Sequence, residues 1–220
     1  MNHSTSLRQV STNDDLPATA PVRRRVKRAL DVALSGVLLV ALSPALLAIA
    51  AAVKLTSRGQ VFYTCHWIGE GGRSFDGYKF RTMTAGADAL EAELQSRNEM
   101  RGPAFKLTND PRITRLGRWL RKYSLDELPQ LWSVLKGDLS LVGPRPPRAH
   151  EYARFTDFHR LKLSVKPGIT CLWQVEGRHM INDYDQWVER DLEYIRRWSL
   201  WLDMTILART AVVVLRGTGA

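Results

Sequence analysis

The chain has 220 residues, of which 25% are charged and 45% hydrophobic, and its 32 Lys and Arg against 22 Asp and Glu leave a formal net charge of +10. That length supports one domain with a real core and excludes two large ones, while the basic excess points to anionic partners: nucleic acid, phosphorylated small molecules or acidic lipid headgroups. Cys65 and Cys171 lack metal-ligand spacing, suit a reducing compartment and give no support for a zinc site, and the five histidines form no HxxxH or HxH pair.

Residues 1–22 are polar and irregular, the composition of a disordered tail. The basic run at 23–28 then leads into residues 32–53, an uncharged apolar stretch with Asp31 just before it. About 20 such residues span a bilayer core, and a soluble core helix of this length would need complete burial, so the segment reads as membrane-associated. Ser43-Pro44 falls near its middle, where proline removes a backbone donor and kinks or breaks a helix. Basic residues lie on both sides, with Lys54 and Arg58 following the run. If both flanks are cytoplasmic, the segment enters and returns, bending at Ser43-Pro44. A single spanning helix that tolerates its proline is the alternative. Ala48-Ile49-Ala50 mimics a signal-peptidase site, but the apolar run is long for a signal peptide and no disulfide framework follows.

Residues 60–64 read as a short strand, 69–72 as a glycine-rich turn and 75–80 as the second strand of a hairpin-like pair. Residues 85–101 favour a solvated helix, and 108–111 form a turn and helix start. From 112 to 123, apolar Ile113, Leu116, Trp119, Leu120 and Tyr123 alternate with basic Arg112, Arg115, Arg118, Arg121 and Lys122. This amphipathic helix suits a membrane interface; an ordinary core-facing helix with a wet basic side has the same pattern. Residues 194–215, with Trp198, Trp201, Asp203 and Arg209, suit a second interfacial or packed helix. The expected fold class is α+β: a membrane helix, interfacial helices and a small β-hairpin or sheet.

The chemistry concentrates in Leu125-Asp126-Glu127-Leu128-Pro129, followed closely by Gly143-Pro144-Arg145-Pro146. Ser124-x-x-Glu127 is by itself a capping box, a common structural motif. Pro129 would then fall at the fifth helical position and lose a bond to Leu125, leaving the carboxylates on a stiff bend. The surrounding charge gives another reading. Arg121 and Lys122 favour ionised carboxylates, and an ionised Asp is a nucleophile toward phosphorus. A neighbouring carboxylate can hold Mg²⁺, which bridges phosphate oxygens. Arg145, locked between prolines, loses little entropy in presenting a bidentate donor to a phosphate; a structural turn with an exposed Arg is the plainer account.

Several motifs in order carry a family resemblance: Lys79-Phe80-Arg81-Thr82-Met83, Asn109-Asp110-Pro111-Arg112-Ile113-Thr114, residues 120–132 around the acidic pair, and Leu141-Val142-Gly143-Pro144-Arg145-Pro146. Over residues 25–220 the chain resembles the bacterial sugar transferases, monotopic phosphoglycosyl transferases that begin glycan assembly on a polyprenyl phosphate. Residues 165–170 and 172–175 resemble the branch acting on hexose-1-phosphates. The resemblance implies a re-entrant helix broken at Ser43-Pro44 and a catalytic domain over 59–220, after a membrane segment at 23–58. It implies that Asp126 attacks the β-phosphate of a UDP-hexose, releases UMP and passes the sugar phosphate to undecaprenyl phosphate. Glu127 would be a Mg²⁺ ligand or orienter beside Asp126, with Arg121 and Arg145 as phosphate clamps and Arg112, Lys79 and Arg81 as further phosphate-binding candidates. The expected setting is the cytoplasmic face of the bacterial inner membrane, and UDP-glucose or UDP-galactose the donor. There is no nucleic-acid motif, and a homo-oligomer is left open. Two departures stand out: Cys65-His66-Trp67-Ile68-Gly69 replaces the family's usual Gln-x-Arg-x-Gly, and Cys171 stands where glycine is usual. A catalytically silent scaffold for polysaccharide assembly is the competing reading.

Overall fold

The computed structural model describes residues 21–177 and 181–219; residues 1–20 of the expected tail lie outside that range. Helix α1, Pro21–Thr56, passes through Ser43 and Pro44 as one helix, so the expected break is not present in the backbone. Pro44 has no N–H to give the Val40 carbonyl one turn back. The Ser43 hydroxyl donates to that carbonyl instead, at 2.8 Å, which satisfies the acceptor the proline orphans and lets the helix continue. No residue from 36 to 52 is buried, and only 6% of the most apolar window is covered by the rest of the chain.

Both ends of α1 are nevertheless held by the same body. Near its start, Lys27 pairs with Asp203 at 2.6 Å, Arg28 donates to the Leu135 carbonyl at 2.7 Å, and Asp31 accepts the Leu141 N–H at 3.0 Å. Near its end, Val53 packs with Phe80 and Leu120, and Arg81 donates to the Ser57 carbonyl at 2.9 Å and its hydroxyl at 2.7 Å.

Strands β1 (Phe62–Ile68) and β2 (Ser74–Phe80) form the expected antiparallel hairpin around the turn at Glu70–Gly72. The period of two turns Cys65 and Trp67 inward and His66 outward. Trp67 lies across Gly77, where a Cβ would come within 2.2 Å of the indole, so the ring needs a glycine opposite. Residues 85–101, expected as one helix, form mainly turns with a short α2 (Glu91–Leu94). That stretch has no apolar stripe to bury, and propensity alone seldom sustains an isolated helix.

Helix α3 (Arg115–Lys122) begins three residues later than expected, capped by Thr114 Oγ1, which accepts the Gly117 N–H at 2.9 Å. Helix α4 (Gln130–Lys136) ends on Gly137 in the left-handed region. Strand β3 (Ser140–Val142) leads through an arginine-proline loop to α5 (Ala149–Tyr152) and α6 (Asp157–Arg160), and β4 (Gly168–Thr170) pairs with β3 in parallel. Short α7 (Leu172–Val175), α8 (Tyr184–Arg197) and α9 (Leu200–Arg216) follow. The single helix expected over 194–215 is two, because Ser199 takes an extended conformation and caps α9 through the Leu202 N–H at 3.1 Å.

The main core joins α4, β3 and β4 to α8 and α9 through Val134, Leu139, Val142, Ile195 and Ile206. A second cluster, with Trp173 stacked on Trp187 at 4.3 Å, backs the region under α7. A third, of Val53, Phe80 and Leu120, ties α1 to the hairpin and α3.

Candidate active site

Asp126 and Glu127 lie on a single 3₁₀ turn, Leu125–Glu127, between α3 and α4. The capping box does not form. Ser124 adopts φ 51° and makes no side-chain cap bond, and it is the only non-glycine with positive φ among the described residues. The turn also resolves the difficulty with Pro129. Helix α4 starts after Pro129, which serves as its N-cap, where a missing N–H breaks no bond. The acidic pair therefore sits on a bend between two helices, on a residue pushed into a costly region of backbone space.

Neighbouring elements carry the basic residues. Strand β2 delivers Lys79, whose Nζ meets Glu127 Oε1 at 2.6 Å and stands 5.6 Å from the centre of the Trp67 ring. The loop after β3 delivers Arg145 and Arg148. That loop is bolted to β4: Gly143 N–H donates to Thr170 O at 3.0 Å, and Gly168 N–H to Pro144 O at 2.9 Å. A Cβ on Gly168 would come within 2.1 Å of Gly143 N, so the close approach requires glycine there. From α8, the Asp191 carboxylate accepts the Arg145 backbone N–H and pairs with Lys162 at 2.6 Å with both side chains buried. Burial alone would push the Lys162 ammonium down; the Asp191 carboxylate beside it outweighs this and holds it raised.

The Cys65 thiol marks where these groups converge. Burial pushes its pKa up; Lys79, Arg148 and Arg145 pull it down and Glu127 pushes it up again. Three cations and one member of the acidic pair thus act on a single buried point. Asp126 is itself buried. Cys65 and Trp67, the residues that depart from the family pattern, form the floor beneath Lys79.

The other basic candidates are placed differently. Arg121 Nε donates to Thr82 Oγ1 at 2.9 Å, next to the strand that carries Lys79. Arg81 clamps the end of α1. Arg112, expected on an open cationic helix face, precedes the helix and is buried. Its guanidinium grips Asp110 through Nε and Nη2, the latter at 2.7 Å, and reaches Glu91 at 3.2 Å. Arg148 is the residue that sequence reading passed over. It follows Pro147 in the same proline-rich element as Arg145, so its spacing was the available signal, and it contacts Glu91 at 3.4 Å. An acidic turn with a lysine on one carboxylate and further arginines acting on the neighbouring buried Cys65 can bind phosphate groups and stabilise charge developing on phosphorus.

The sequence profile described as bacterial sugar transferase matches residues 22–217. The chain belongs to the bacterial sugar transferase family. Among its relatives, the galactosyl transferase CpsE of Streptococcus agalactiae is 48% identical over 162 residues, covering 74% of this chain and 36% of that protein. The undecaprenyl-phosphate galactose phosphotransferase of Salmonella typhimurium is 45% identical over 202 residues, 90% of this chain and 42% of that one. The chain thus spans about two fifths of the length of these two curated relatives. The exopolysaccharide production protein ExoY of Rhizobium meliloti is 40% identical over 211 residues, 93% of each chain.

Among the described residues no three His, Cys, Asp or Glu side chains gather into a preformed metal cage. The donor set of Asp126 and Glu127 still fits Mg²⁺, which commonly takes only one or two carboxylates and completes its shell with water and substrate phosphates.

Proposed function

We propose that this protein is a phosphoglycosyl transferase that moves a hexose-1-phosphate from a UDP-hexose to undecaprenyl phosphate, the step that starts assembly of an exopolysaccharide, O-antigen or capsule. The observation that carries the reading is the buried acidic turn with Lys79 paired to Glu127, in a chain whose Salmonella relative is named for undecaprenyl-phosphate galactose transfer. Galactose appears in the names of three relatives and glucose in that of one, which puts UDP-galactose first as donor and UDP-glucose second.

In this mechanism an Asp126 oxygen attacks the β-phosphorus and the bond to the α–β bridging oxygen breaks. UMP departs with that oxygen, leaving the sugar phosphate on Asp126. A phosphate oxygen of the lipid then attacks the same phosphorus and releases the carboxylate, giving a lipid diphosphate sugar. Arg145 holds the donor's phosphates and is steadied by its backbone bond to Asp191, while Arg148 shares Glu91 with Arg112. Lys79 fixes Glu127 and adds positive charge beside the reacting phosphorus. Asp126 and Glu127 would hold Mg²⁺, which when bound neutralises charge on the phosphate oxygens.

The membrane supplies the acceptor. The apolar, largely uncovered α1 and the exposed Trp119, Trp132 and Trp201 favour attachment at a lipid interface. Both ends of α1 are held on one body, and the basic residues at both flanks favour the cytoplasmic side of the inner membrane. The test is UMP release from a panel of UDP-sugars with undecaprenyl phosphate and Mg²⁺. Wild type should release UMP with at least one sugar, and Asp126→Asn should lose about 10⁴-fold or more. Release that survives in the variant would sink the covalent route. A folded wild type inert to every sugar would instead favour the scaffold.

A further inference from the structure

The acidic turn opens onto a cavity of ≈ 130 Å³. Helix α4 contributes Leu131, the turn Leu128, β4 Ile169, α7 Val175, and α9 Val213 and Val214. Four uncharged polar residues also line it: the Thr170 and Thr210 hydroxyls bond each other at 2.8 Å, Gln174 Oε1 accepts the Cys171 N–H at 3.0 Å, and Ser124 stands beside Glu127. Glu127 stands at the mouth. The cavity therefore has an apolar interior and its one charged group where the phosphorus chemistry is proposed to occur.

We infer that this cavity holds the first isoprene unit of the polyprenyl phosphate acceptor. The inference rests on the reading that the acceptor is such a lipid. Three physical points carry it. In a polyprenyl phosphate the first isoprene is bonded directly to the phosphate oxygen, so the apolar contact must begin close to the reacting carboxylate, and this cavity begins at Glu127, the neighbour of Asp126. In a phospholipid, a glycerol and two esters separate the phosphate from the hydrocarbon, which would set polar atoms against Leu128, Val175 and Val214. The volume also fits. Apolar cavities of about 150 Å³ hold a six-carbon ring, so this one suits a five-carbon unit rather than a whole chain. The remaining units leave along α9, where Val212 and Leu215 are exposed beside the cavity-lining valines. The other half of helix α9 meets α1, with Leu200, Met204 and Leu207 near Leu30 and Leu34.

Two measurements test this on the full chain. A polyprenyl phosphate carrying a diazirine on its first isoprene, irradiated with the wild-type protein in detergent, should label residues 169–175 and 210–214. Unlabelled polyprenyl phosphate should compete and phosphatidylglycerol should not. Labelling confined to α1, or equal competition by phosphatidylglycerol, would overturn the inference. Val214→Phe and Val175→Phe fill the cavity; with thermal unfolding near wild type, each should raise KM for polyprenyl phosphate at least tenfold and leave KM for the UDP-sugar unchanged. Folded variants with an unaltered lipid KM would also overturn it. A wild type that releases UMP from no sugar is a failure of the transferase reading, and labelling still decides the cavity on its own.

Discussion

The turn before α3 and the loop after β3 both carry an arginine suited in sequence to binding phosphate, and the fold treats the two in opposite ways. Arg112 is buried against Asp110 and Glu91. Arg145 has no carboxylate within ion-pair distance of its side chain among the described residues, and the Asp191 carboxylate holds its backbone instead. A cation serves a substrate only where the protein has not already neutralised it. Arg112 braces the segment that feeds α3 and hence the acidic turn; Arg145 is presented to whatever enters the site.

Substitutions should separate the two roles. Arg112→Ala leaves the buried Asp110 charge without its partner and should destabilise the fold by about 3–5 kcal/mol, read as a fall in thermal midpoint, with little change in KM for donor in the fraction that remains folded. Arg145→Ala should do the reverse, with a loss of about 10²–10³-fold in kcat/KM and an unchanged midpoint. If Arg112→Ala kept its midpoint and lost donor binding, the division between brace and clamp would be wrong.

Acid sharpens the same contrast. Burial would raise the Asp110 carboxyl, but hydrogen bonds from the Arg112 side chain and backbone outweigh it and hold the pKa below the ordinary 3.8. A carboxyl lowered on folding contributes stability that is complete above 3.8 and is lost as pH falls through the lower, folded value. The thermal midpoint should therefore fall below about pH 4, and Asp110→Asn should remove that part of the decline. The smallest effect concerns Ser124. Replacing it with glycine relieves the left-handed conformation by at most about 1 kcal/mol, so the midpoint should rise slightly or hold. Any loss of turnover in that variant would report that a stiff turn positions Asp126.

Much of the site was legible in the sequence because its parts are contiguous: an acidic pair beside a proline, and an arginine fixed between prolines. Arg148 belongs to that second element, and a wider reading of it would have included the residue. The position of Arg112 was not legible. A three-to-four spacing of basic residues looks like a helix face until Asp110, two residues away, turns back to bind the guanidinium and delays the helix to Thr114. The capping box failed for a similar reason, since Ser124-x-x-Glu127 specifies a cap only where the chain enters a helix, and here it leaves one and turns before the next.

Composition and short-range pattern alone determined the long apolar segment, the basic character, the hairpin and the acidic turn, because hydropathy, period-two alternation and proline geometry act within a few residues. Tertiary structure alone decided two things: the parallel pairing of β3 with β4, and the meeting of Lys79 on β2 with Glu127 on the acidic turn. Those contacts join residues tens of positions apart, and only packing against one core brings them within reach of one another.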